Sequence, residues 1–140
     1  MSDFSNLEIG SELPVIQKQF TRSQLVAYAL ASGDMNPIHQ DEGIAKSVGL
    51  PDVIAHGMLT MGCAIQVVTD WIGDPTAVLD YSVRMTRPVV VPAGEVGVPV
   101  TFSGKIGAIN GDGTIRVDLS AVFADQTVLG QAKAVVRLPQ

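Results

Sequence analysis

From Gly57 to about Ile72 the chain is apolar on nearly every side. Met58, Leu59, Met61, Cys63, Ala64, Ile65, Val67, Val68 and Trp71 leave no continuous polar stripe at helical spacing. A helix that is hydrophobic all round is a buried one. At about 1.5 Å per residue it spans roughly 24 Å, and Gly73-Asp74-Pro75 stops it. A chain with such a segment must wrap other structure around it. The 140 residues suffice for one domain, 1–140, that buries about two-thirds of its unfolded surface. With 46% hydrophobic against 16% charged residues, wrapping material is ample and general disorder is excluded.

Everything after Pro75 is strand-like. Ile115, Val117, Leu119, Ala121 and Phe123 alternate with Thr114, Arg116, Asp118 and Ser120. Val100, Phe102 and Ile106 oppose Thr101, Ser103 and Lys105 in the same way, and Asn110-Gly111-Asp112-Gly113 between the two runs is a hairpin signal. Ala132, Ala134, Val136 and Leu138 mark a final strand. Residues 77–91 read as another, with Pro88 and Pro92 indicating an edge or bend. Residues 9–20 read as an opening strand interrupted by Pro14. The expected class is α+β: an antiparallel sheet of about five strands curled around one central helix, burying that helix on every side. The edges of such a sheet are better protected by pairing with a second subunit, so a dimer is expected.

The net charge of −5 argues against nucleic acid and against anionic membranes. No run approaches the roughly eighteen apolar residues of a membrane span. One cysteine, Cys63, cannot form an internal disulfide, and no Cys-x-x-Cys or His-x-x-x-His spacing suggests zinc. Met1-Ser2-Asp3-Phe4 lacks the basic-then-apolar pattern of an export signal, so a cytoplasmic protein is expected.

The chemistry concentrates in Ser32-Gly33-Asp34-Met35-Asn36-Pro37-Ile38-His39 and in Ala55-His56-Gly57-Met58. Thr21 and Gln24 form a capping box, with Phe20 and Leu25 as a hydrophobic staple. Leu25, Tyr28, Ala29 and Ser32 share a face of the helix that follows, and Gly33 is placed to end it. Pro37 cannot extend that helix and biases Asn36 to extended backbone, so Asp34 and His39 can face each other across a turn. Asp41 is placed to cap a short helix through Lys46, ended by Gly49 and Pro51. Asp34 and His39 are the nearby pair able to handle a proton at neutral pH. Gly57 opens the apolar helix, where an amide with no side chain beside it can polarise a carbonyl.

Blander readings stand beside these. Asp34 alone is a turn or capping residue. Asn36 reads as a turn former, His56 as a helix-start residue satisfying local backbone, and Tyr28 as core; all three are also candidates for the substrate side of the site. Cys63 reads as core packing. Arg84 and Arg87, three apart on a strand, point to opposite faces; solvated surface is the default and a phosphate contact the alternative.

The run Tyr28-x-x-x-Ser32-Gly33-Asp34-x-Asn36-Pro37-Ile38-His39, with Ala45 and then His56-Gly57-Met58, resembles the MaoC-type hydratases and dehydratases. More narrowly, residues 49–62 resemble the catalytic beta subunit of actinobacterial (3R)-hydroxyacyl-carrier-protein dehydratases, which pairs with a non-catalytic partner of the same fold. The resemblance implies the hot-dog fold and reversible syn addition of water to trans-2-enoyl thioesters of coenzyme A or acyl carrier protein. It implies Asp34 as general base, His39 as the group exchanging a proton with Cα, and the Gly57 amide as oxyanion donor, with no metal or redox cofactor. Implied partners are the thioester substrate and a second hot-dog subunit, identical or not. Two alternatives stay open. A hot-dog thioesterase needs a carboxylate near the central helix, and Gly57 to Val68 holds none. A non-catalytic acyl-binding or stabilising subunit has no use for two proton-handling groups.

Overall fold

The computed structural model describes residues 4–140; the Met1-Ser2-Asp3 part of the N-terminal reading lies outside the described residues. In chain order the elements are β1 (Ile16–Phe20), α1 (Arg22–Ser32), a 3-10 turn (Pro37–His39), α2 (Glu42–Ser47) and α3 (Gly57–Ile72). After a second 3-10 turn, Pro75–Ala77, come β2 (Val78–Met85), β3 (Val98–Ile109), β4 (Thr114–Phe123), the two-residue β5 (Gln126–Thr127) and β6 (Leu129–Arg137).

All the strands belong to one antiparallel sheet of order β1-β3-β4-β6-β2, with β5 paired to β4. Alternation along β3 and β4 sends Val100, Phe102, Ile106, Ile115, Val117 and Ala121 to the buried face. The helix α3 packs there through Thr60, Cys63, Ala64, Val67 and Val68, the i, i+3, i+4, i+7, i+8 set that makes one apolar stripe. Gly104 lies under this contact: a Cβ there would sit 3.2 Å from Val67 and 3.1 Å from Leu119. Close approach of helix to sheet therefore depends on the missing side chain. Between β3 and β4, Asp112 accepts from the Thr114 amide and hydroxyl, and Gly113 takes φ +86°; the hairpin forms where its sequence indicates.

The opening segment pairs with β3 on both sides of Pro14: Gly10 donates to Ile106 at 2.7 Å and Leu13 to Gly104 at 2.9 Å before it, and Ile16–Phe20 continue after it, an interrupted strand as expected. Two expectations are corrected. The strand expected over 77–91 ends at Met85. Beyond it the chain leaves β6 and pairs instead with the crossing segment 53–55: Ala55 donates to Val89 at 2.9 Å and Val91 to Val53 at 2.8 Å. Pro88 and Pro92 leave few amides for a long ladder, while Val89 and Val91 still reach the core. Finally, α3 is not buried on every side within one chain. Met58 is 61% exposed and Gly62 is open to solvent, because a single sheet covers only one flank of a helix. Among the described residues no helix is long and apolar enough to cross a membrane.

Candidate active site

Local sequence builds the loop between α1 and α2 almost without tertiary help. Thr21 and Gln24 form the reciprocal capping box, and Gly33 ends α1 in the left-handed conformation at φ +82°. Asp34 Oδ1 then accepts from the Asn36 amide at 3.2 Å, and Asn36 Oδ1 accepts from the Ile38 amide at 3.2 Å. These Asx-type turns pass into a 3-10 turn that Pro37 starts with its fixed φ. The side chain of Asn36 is thus given to the backbone of the turn.

The position of His39 needs the rest of the fold. Its ring is buried, and Nδ1 lies 2.7 Å from the Ile54 carbonyl. A carbonyl oxygen can only accept, so Nδ1 carries the hydrogen and Nε2 of the neutral ring keeps its lone pair. Ile54 is held on both sides, since its amide donates to the Ile38 carbonyl at 3.2 Å and its neighbour Ala55 is tied to Val89. One tautomer is thereby imposed on His39 by a backbone oxygen with no sequence signature.

His56 stacks on His39, centroids 3.8 Å apart and planes within 24°. It is 1% exposed, and its Nε2–H donates to the Asp34 carbonyl at 3.1 Å. Tyr28 meets the other side of His56 edge-on at 4.7 Å. In the neutral ring Nδ1 of His56 is a buried acceptor that no donor meets among the described residues. Burial holds the His56 pKa below its ordinary value of 6.5, and the positive charge His39 can carry acts in the same direction; the Asp34 carbonyl and carboxylate oppose them. His56 lies behind the loop rather than on an open surface.

The atoms that Asp34, His39 and His56 can offer lie within 4.8 Å of one another. That spacing also suits metal ligands, but the stack argues for a different use. In-plane lone pairs of stacked rings run nearly parallel instead of converging on one point, and His56 Nε2 is engaged by the Asp34 carbonyl. A ring nitrogen of His39 lies within 4.8 Å of an oxygen of the exposed Asp34 carboxylate, a span that one water can bridge.

His39 opens into a cavity of about 410 Å³ whose walls include Gly57, Thr60, Met85, Arg87 and Leu129. Gly57 is exposed, and no protein group among the described residues accepts from its amide. A Cβ at Gly57 would stand 3.0 Å from Met85 Sδ, so the glycine keeps this helix start open. Tyr28 lies elsewhere: it lines a separate groove with Phe20, Leu59 and Cys63. The fold brings Asp34 near His39, and His39 and Gly57 into one cavity whose lining does not include Asp34. Sequence reasoning misses Ile54, Met85 and Thr60. Ile54 acts through its backbone, and the other two are ordinary strand and helix residues until the fold turns them toward His39.

Comparison with known proteins places this geometry among relatives. Residues 6–126 match the family described as MaoC like domain. A solved structure described as a MaoC-like dehydratase superposes with TM-score 0.92 at 44% identity, over 97% of this chain and 42% of that one. The (R)-specific enoyl-CoA hydratase of Aeromonas caviae is 28% identical over 96% of this chain and 97% of its own length; its structure gives TM-score 0.83. The 3-oxo-4,17-pregnadiene-20-carboxyl-CoA hydratase beta subunit of Mycobacterium tuberculosis is 30% identical over 78% of this chain and 80% of its own. Against two further curated relatives, 42% and 38% identical, the chain spans only about a quarter of their length, 25% and 28%.

Proposed function

The chain belongs to the MaoC-like domain family, and from that premise we propose that it catalyses the reversible syn hydration of trans-2-enoyl thioesters to (3R)-3-hydroxyacyl thioesters. The observation that carries this reading is a ring nitrogen of His39 within 4.8 Å of an Asp34 carboxylate oxygen, with His39 and the unoccupied amide of Gly57 in the walls of one cavity.

The chemical difficulty is to make Cβ electrophilic while activating water, a poor nucleophile. With the thioester oxygen at the Gly57 amide, negative charge developing there meets a hydrogen-bond donor and the positive end of the α3 dipole. Asp34 draws a proton from the water as its oxygen bonds to Cβ. His39, held as the Nδ1–H tautomer, holds the same water through Nε2 and passes a proton to Cα. A ring that starts neutral first takes onto Nε2 the proton that Asp34 drew from the water, which returns Asp34 to its carboxylate. The proton reaching Cα is therefore the one removed from water, returned on the same face, and the pair ends as it began. Both additions on one face give syn stereochemistry. Positioned proton transfer of this kind contributes about 10²–10⁴-fold, and one oxyanion donor about 3–4 kcal/mol.

His56 and Asn36 enter this reading as positioning residues, one holding the Asp34 backbone and the His39 ring, the other the turn. Tyr28 supports His56 from behind. The reading takes 1–140 as a single hot-dog domain acting in the cytoplasm as a dimer, either of itself or with a second hot-dog chain. The exposed apolar residues Met58, Leu79 and Met85 around the free β2 edge support such pairing. The beta-subunit relative supports a mixed pair.

Crotonyl-CoA hydration, followed by loss of enoyl absorbance, tests the proposal. Activity in the native chain and its loss in both Asp34→Asn and His39→Ala is the expected result. A native chain inert on enoyl thioesters of every length, alone and with a hot-dog partner, would overturn it.

A further inference from the structure

Resting on the hydratase reading, we propose that Arg87 binds the phosphate at the end of the substrate's phosphopantetheine arm. Of the Lys and Arg residues described, Arg87 is the one that lines the cavity of His39 and Gly57. It is exposed, and none of the ion pairs found among the described residues includes it. By contrast Arg22, Lys46 and Arg116 each have a carboxylate within 3 Å.

Its base is fixed by the fold. The amides of Thr86 and Arg87 both point at the Val128 carbonyl, at 3.2 and 3.5 Å, and Pro88 follows with restricted φ. A Cβ on Gly130 would fall 2.7 Å from Thr86 Cγ2, so the glycine in β6 allows this segment to lie close. Two residues back, Met85 sits against Gly57. Gly57, Met85 and Arg87 line one cavity, so a thioester with its oxygen at the Gly57 amide can run its arm along this wall to the guanidinium. The wall is otherwise mostly apolar, and a protein of net charge −5 repels phosphate everywhere except at a free cation. A guanidinium is suited to phosphate by its planar fork of donors. Coenzyme A and acyl carrier protein share this phosphate, so the contact does not require a choice between them.

The test compares crotonyl-CoA, crotonyl-phosphopantetheine and crotonyl-pantetheine, which carries no phosphate. In Arg87→Ala, kcat/KM for each phosphorylated substrate relative to crotonyl-pantetheine should fall about tenfold, mainly through KM. Arg87→Lys should recover part of that loss, because the charge remains while the planar fork of donors is gone. Arg84→Ala, an equal loss of charge away from the cavity, should leave the ratio as it was. An unchanged ratio in Arg87→Ala, or an equal fall in Arg84→Ala, would overturn the proposal. So would a fall confined to crotonyl-CoA, which assigns the residue to the nucleotide phosphates instead. If the native chain hydrates none of the three, the hydratase reading fails separately. Titration with phosphopantetheine, against pantetheine as the control, then decides for Arg87: about tenfold weaker binding of phosphopantetheine in Arg87→Ala supports the contact, and equal binding removes it.

Discussion

Asp34 and His39 reach the same place by different means. A local turn presents the acid, through Ser32, Asn36 and a left-handed Gly33. A distant carbonyl, that of Ile54, orients the imidazole. Asp34→Asn and His39→Ala should therefore each reduce kcat by about 10²–10⁴-fold, with circular dichroism unchanged. Gly57→Ala should lower activity through its contact with Met85, and Met85→Ala should restore part of it in the double variant; independent losses in a double-mutant cycle would show that the two positions do not communicate. His56 gives a pH signature. Folded, its pKa lies below 6.5; unfolded, it is ordinary. As pH falls below 6.5 the unfolded chain takes a proton that the folded chain refuses. The stability due to neutral His56 is thus complete above that pH and declines below it, by at most about 1.4 kcal/mol per unit. Melting from about pH 7.5 to about pH 5.5 should show this slope, reduced in His56→Phe. An identical slope in that variant would assign it to other groups.

At the scale of elements, the site is clamped by Arg22, whose Nε donates to the Val91 carbonyl at 2.6 Å and whose Nη2 meets Asp52 at 2.7 Å. This joins the start of α1 to both segments that frame Ile54. Asp52→Ala leaves a part-buried guanidinium with only the more distant Glu42 carboxylate, 3.9 Å away, and frees the Val53 amide. A loss of about 1–3 kcal/mol is expected by denaturant titration, with reduced kcat because Ile54 loosens. Cys63, by contrast, belongs to α3 packing: burial pushes its thiol pKa up. A thiol reagent should label it far more slowly than a free cysteine, since the mostly buried thiol stays protonated at neutral pH; labelling as fast as that of a free cysteine would show that the groove beside Tyr28 admits the reagent.

At the scale of the molecule, one sheet leaves the outer flank of α3 and the β2 edge uncovered. Sedimentation is expected to show a dimer, or a monomer that pairs when a second hot-dog chain is added. A stable monomer with full activity would show that the exposed apolar residues serve another purpose.

Sequence by itself determined what is local or periodic. The limits of α3, the capping box at Thr21, the left-handed Gly33, the hairpin at 110–113 and the proximity of Asp34 to His39 follow from spacing, caps and turn chemistry acting over a few residues. Only tertiary structure decided the end of β2, the His39 tautomer, the stack with His56 and the flank of α3 left bare. Each depends on backbone groups or surfaces brought together across many residues, and a carbonyl such as that of Ile54 is the same atom whatever side chain follows it.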